Sequence, residues 1–169
     1  NRALLEDVSI GPRWAYIFLG WDSAWYLSIM EFGYGFSSQS YAFFPVFPML
    51  GRVFWFLLKS PLVAIATCSL IFGVLWVPLY QAFAETYFDR KSAFISTLLF
   101  ATFPFTFVFS SIGYTEGIFL FTTLGAWLLF IRGKRLEAFL AAAIATLVRP
   151  PGFLIALPML LIIIKEKGR

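Results

Sequence analysis

No charged side chain occurs among the 25 residues from Ser60 to Ala84, and a second uncharged stretch of 24 runs from Ser92 to Thr115. Crossing a bilayer core of about 30 Å takes roughly 20 apolar residues of helix. Both stretches exceed that length. The chain as a whole is 60% hydrophobic and 13% charged, against about 45–50% and about 25% in ordinary soluble domains. A soluble fold this apolar would lack polar material to cover its surface. The composition argues against a soluble enzyme, a disordered chain and a nucleic-acid reader and points to a polytopic membrane protein, and the long uncharged runs give its fold class as all-α.

The absence of His removes the Ser-His-Asp triad, His-ligated zinc and His-ligated haem. The single Cys68 cannot form an internal disulfide and sits in an apolar run. A net charge of +4 is not a nucleic-acid footprint here, because the basic residues punctuate apolar runs instead of forming one patch. The chain opens on Asn1 without an initiator Met and stops at Arg169 just beyond an apolar run, which reads as a piece of a longer protein.

Two regions follow from the charge map. Residues 1–60 carry Gly, Ser, Gln, Tyr and Trp and form a first extracytoplasmic loop with juxtamembrane helices, Trp14–Glu31 lying at the interface. Gly33–Tyr41 is a polar loop, and Phe43–Leu58, interrupted by Pro45, Pro48 and Arg52, a short interfacial or re-entrant helix. Residues 61–169 supply transmembrane helices. Ser60–Ala84, Ser92–Thr115 and Gly117–Ile131 each make one crossing. Arg90/Lys91, Arg132/Lys134/Arg135 and Lys165/Lys167/Arg169 then mark the cytoplasmic side. The last two clusters share that side only if Leu136–Val148 and Gly152–Ile164 form a hairpin turning at Arg149. A single kinked helix is the alternative. The hairpin leaves Asp22, Glu31, Tyr41, Glu116 and Arg149 outside.

Few of these residues can carry chemistry. Asp22 is placed either to cap a helix with its carboxylate or to act as a general base beside Trp21, Trp25 and Tyr26. Glu116, in Tyr114-Thr115-Glu116-Gly117, either favours a helix first turn or faces a polar cavity. Arg149, in the break Val148-Arg149-Pro150-Pro151-Gly152, either snorkels to headgroups or binds an anion such as phosphate. Tyr41–Pro48, dense in aromatics and Pro, is either an interfacial belt with a rigid turn or a stacking surface for a sugar or prenyl chain. A transporter or flippase would also use a broken helix and intramembrane charges, although no internal repeat is visible.

Trp21-Asp22, then Tyr41-Ala42-Phe43-Phe44-Pro45-Val46-Phe47-Pro48, then Tyr114-Thr115-Glu116, then Thr146…Arg149…Gly152 resemble the PIG-V family. This is the family of the transferase that adds the second mannose in GPI-anchor assembly, together with prokaryotic relatives. The resemblance implies a GT-C-like membrane fold whose first transmembrane helix precedes Asn1 and whose further helices follow Arg169. It also implies a polyprenyl- or dolichyl-phosphate sugar as donor and a lipid-linked or GPI-type glycan as acceptor. Asp22 matches the acidic position at which catalysis is placed. Trp21, Tyr41, Tyr114, Glu116 and Arg149 become substrate-binding candidates. Asp22 is followed by Ser23 and Ala24, without the second acid of an Asp-x-Asp pair, which speaks against a bound divalent metal. The implied location is the plasma membrane of a prokaryote or the endoplasmic reticulum of a eukaryote, with the active face extracytoplasmic.

The topology makes a direct prediction. With Cys68 replaced by Ser, a cysteine at Tyr114 should react with an impermeant maleimide on intact cells and one at Gly133 should not. Equal labelling of the two sites would overturn the arrangement.

Overall fold

A computed structural model describes residues 22–168, and every regular element among them is helical. The helices are α1 (Ser23–Phe32), α2 (Val46–Leu58), α3 (Pro61–Ala84), α4 (Arg90–Thr102), α5 (Pro104–Ser111), α6 (Glu116–Ile131), α7 (Arg135–Val148) and α8 (Ala156–Lys167). Short 3-10 turns at Tyr34–Phe36, Ser38–Ala42 and Pro150–Ile155 join them.

α3 begins at the start of the uncharged run, where a cap and a proline set its first turn. The Ser60 hydroxyl accepts the Val63 N–H at 3.5 Å, and Pro61 occupies the first helical position, where its missing donor costs nothing. At 1.5 Å per residue its 24 residues span about 36 Å. By length and composition α3 alone among the described helices can cross a bilayer.

The stretch Ser92–Thr115 departs from the expected single crossing. It divides into α4 and α5, whose axes are bent by 64°. Pro104 removes a helix donor and drives Phe103 out of helical geometry (φ −58°, ψ 126°). The pair meets the spanning criterion only when taken together as one bent span.

The hairpin at Arg149 is the arrangement observed. α7 ends at Val148, and α8 returns so that Arg135 and Glu166, at the far ends of the two arms, form an ion pair. The turn lies so tightly on α7 that a Cβ on Gly152 would sit 2.3 Å from the Ala145 carbonyl carbon. Beneath it Met159 packs with Ala126, Phe130, Ala138 and Ala142.

α3 is the hub of the bundle, against which α2, α4, α5 and α6 all pack. Its N-terminal half joins α1, α2, α6 and α7 in a core built from Tyr26, Leu27, Met30, Phe47, Leu62, Ile65, Ile118 and Val148. Midway along it two glycines let backbones meet. A Cβ on Gly117 would lie 2.7 Å from the Gly73 nitrogen, and one on Gly73 would lie 2.1 Å from the Ser110 carbonyl oxygen. Small residues at such crossings are the means by which helices in lipid approach closely. The outward faces of α4 and α5 present Phe94, Leu98, Leu99, Phe103, Phe105 and Phe107 unburied. An apolar patch of that extent belongs against lipid or protein, not water.

The crossing supplies a test. Gly117→Val should force α6 off α3 and cost about 1–3 kcal/mol, the range for overpacking, read as a lower melting temperature in detergent. Gly125→Ala, whose added Cβ meets nothing closer than the Leu79 side chain at 4.0 Å, should melt like the parent.

Candidate functional site

The site is built on the break between α5 and α6. Residues Ile112–Thr115 have left one helix and not entered the next, so their polar groups need partners from elsewhere. Ser69, in the middle of α3 and 2% exposed, supplies them. Its hydroxyl lies 2.5 Å from the Ile112 carbonyl and 3.0 Å from the Tyr114 carbonyl, and accepts the Tyr114 N–H at 3.1 Å. So held, the Tyr114 hydroxyl accepts the backbone N–H of Asp22 at 2.8 Å. A single serine thus ties the start of α1 to the middle of the longest helix.

Asp22 occupies the N-cap position of α1 but does not cap with its side chain. Its backbone is already helical (φ −83°, ψ −8°), a geometry that turns the carboxylate away from the first-turn donors, which an N-cap in the β region would meet. Its carbonyl accepts from Trp25 and Tyr26 instead. The residue is exposed. The capping alternative therefore does not describe this aspartate, whose carboxylate is open to an incoming group.

Glu116 opens α6 and Arg149 ends α7, and the two form an ion pair, Nη1 to Oε1. The Glu116 side chain is 15% exposed and that of Arg149 41%. The other carboxylate oxygen, Oε2, is buried and has no partner. Arg149 is fixed by its extended backbone, its N–H donating to the Ala145 carbonyl at 3.0 Å and its carbonyl accepting from Gly152 at 2.9 Å. The guanidinium also lies over the Phe119 ring, 5.9 Å from its centre.

Two phenols report that these charges share one locale. Burial raises the Tyr26 hydroxyl to about 12, opposed by a hydrogen bond with Thr115 and by the Arg149 charge, while Glu116 and Asp22 push it further up. Burial also raises Tyr114. The Asp22 N–H and Arg149 oppose that rise, and the carboxylates of Asp22 and Glu116 reinforce it. Asp22, Glu116 and Arg149 thus act on the same two rings.

The structure brings together Asp22, Tyr26, Tyr114, Glu116 and Arg149 of the residues named from sequence, and adds Ser69 and Thr115. Trp21 lies outside the described residues. Tyr41 is held elsewhere, 71% exposed and stacked on Tyr34 with ring centres 5.7 Å apart. The aromatic-Pro segment packs inward. Phe43 stacks on Trp25 at 5.5 Å, and Phe43 and Phe47 both meet Tyr26 edge-on. Its rings support α1 more than they offer a stacking surface. Among the described residues no three of His, Cys, Asp or Glu gather as metal ligands.

A family model described as Mannosyltransferase (PIG-V) matches residues 12–164. No curated protein and no solved structure matches the chain.

The ion pair predicts how the site responds to truncation. Arg149→Ala leaves Glu116 with both oxygens unpaired in a largely buried position, at a cost of about 1–3 kcal/mol. The double variant Glu116→Ala/Arg149→Ala should recover part of that loss. A thermal-melting cycle in detergent reads both, and equal melting of parent and Arg149→Ala would show that the pair contributes nothing.

Proposed function

The chain belongs to the PIG-V mannosyltransferase family and is a glycosyltransferase of that type; from that premise we propose that it moves mannose from a polyprenyl- or dolichyl-phosphate donor to a hydroxyl of a lipid-linked or GPI-type glycan. In this reading Asp22 accepts the proton of the acceptor hydroxyl. The acceptor oxygen attacks the anomeric carbon from the face opposite the phosphate. The bond from that carbon to the phosphate oxygen breaks, its electron pair leaves with the lipid phosphate, and the anomeric configuration inverts. Arg149 stabilises the growing phosphate charge. The unpartnered Oε2 of Glu116 accepts a hydrogen bond from a sugar hydroxyl.

The observation that carries this reading is the meeting of an uncapped, exposed carboxylate and a half-exposed guanidinium around the same pair of tyrosines. The first can take a proton, and the second can take a phosphate by exchanging its contact with Glu116. Ser69 and Tyr114 position the base by fixing the Asp22 backbone. The basic clusters Arg90/Lys91 and Arg132/Lys134/Arg135 lie at the opposite ends of α3 and α6 from the site, which supports an extracytoplasmic active face. Neither the fold nor the family match supports a transporter or flippase.

Asp22→Asn preserves shape and removes the base. In membranes containing the full-length protein it should lower mannose transfer about 10²–10⁴-fold, the usual contribution of a general base, with the donor KM little changed. Transfer close to the parent rate would rule Asp22 out. Tyr114→Phe, which keeps the ring and removes the oxygen that accepts the Asp22 N–H, should lower kcat roughly tenfold without altering donor KM.

A further inference from the structure

Arg52 stands midway along α2 and Lys59 just past its C-terminal end. Arg52 and Lys59 are both exposed, and no carboxylate among the described residues pairs with either. Arg52 spends one donor, its Nε bonding the Met30 carbonyl at 2.6 Å, which steadies the guanidinium and leaves its terminal nitrogens available. The Lys59 ammonium rests over the Phe56 ring, 4.5 Å from its centre. With Trp55 these residues line an open hollow of about 370 Å3. On the same short helix Met49, Val53, Phe56 and Leu57 are exposed.

The level of this hollow in the bilayer follows from α3. Lys59 and Ser60 form the turn from α2 into α3, whose length of about 36 Å exceeds an apolar core of about 30 Å. With the other end of α3 at the cytoplasmic surface, the turn reaches the outer headgroup layer. Lys59 then lies at that layer, and Arg52 shares the hollow with it, beside Trp55, Phe56 and the exposed Val53 and Leu57, with no acid among the described residues paired to either cation. We propose that the hollow formed by Arg52, Trp55, Phe56 and Lys59 binds the phosphate headgroup of an anionic phospholipid of the outer leaflet. The phosphate sits between guanidinium and ammonium, the rings flank the glycerol, and the acyl chains run along Val53 and Leu57. A free phosphate ion would satisfy the cations but leave the apolar stripe unused. This site is separate from the one that holds Asp22 and Arg149, and it rests on the orientation in which Arg90/Lys91 mark the cytoplasmic side, not on the reaction proposed above.

The test places the full-length protein in nanodiscs of phosphatidylcholine with a minor share of phosphatidylglycerol, then measures the lipid retained after extraction by mass spectrometry. The parent should retain phosphatidylglycerol roughly tenfold above its bulk share, the scale that two basic side chains supply at an anionic surface. Arg52→Gln/Lys59→Gln should abolish the enrichment. Lys59→Gln alone, at an exposed position where folding is not at stake, should reduce it about three- to fivefold. Arg90→Gln/Lys91→Gln, at the other end of α3, should leave it intact. Excess inorganic phosphate should not release the lipid. Unchanged enrichment in Lys59→Gln and the double variant would overturn the proposal, as would equal loss in the Arg90/Lys91 control. So would release by phosphate alone.

Discussion

The hydroxyl of Ser69 holds the break between α5 and α6 against α3, and the polar half of the molecule is arranged from that contact. An interrupted helix in an apolar surrounding exposes carbonyl and amide groups that water cannot reach. Ser69 shares its one hydroxyl proton between two such carbonyls and accepts one amide N–H. Gly73, one turn further along, removes the bulk that would keep the Ser110 carbonyl and α6 at a distance. Together they allow Tyr114 to reach Asp22, and they set Glu116 at the mouth of α6 facing the turn that carries Arg149.

The secondary hub is the proline-glycine turn Pro150–Ile155. Pro150 and Pro151 end α7, while Gly152 lets the returning chain lie directly on the Ala145–Thr146 backbone. Arg149 is consequently delivered in extended geometry from a rigid corner. Its guanidinium is bounded by Glu116 on one side and by Phe119 on another. A flexible loop would have left the same arginine free to reach solvent.

Much of this was legible in the sequence because charge and proline act locally. The uncharged run from Ser60 to Ala84 gave the extent of α3, and Arg149-Pro150-Pro151-Gly152 announced the turn of the hairpin. Asp22, Glu116 and Arg149 were visible as charges with few apolar reasons to exist. The bend at Pro104 was underread, since an uncharged stretch of sufficient length conceals a change of direction. Ser69 was missed for a different reason. Serine is common in membrane helices, where its hydroxyl can bond its own preceding turn, and only its tertiary partners distinguish it. The inward packing of Phe43 and Phe47 was likewise invisible, because aromatic residues suit both a protein core and an interface.

The Glu116–Arg149 pair means that the guanidinium is never an empty receptor. In the proposed reaction an arriving anion would exchange with a resident carboxylate, so its affinity would be the difference between two contacts and not the strength of one. Such an exchange would filter out weak anions, which could not displace the glutamate. It would also give the arginine a partner to return to once a stronger anion departs, restoring the resting charge balance from within the protein.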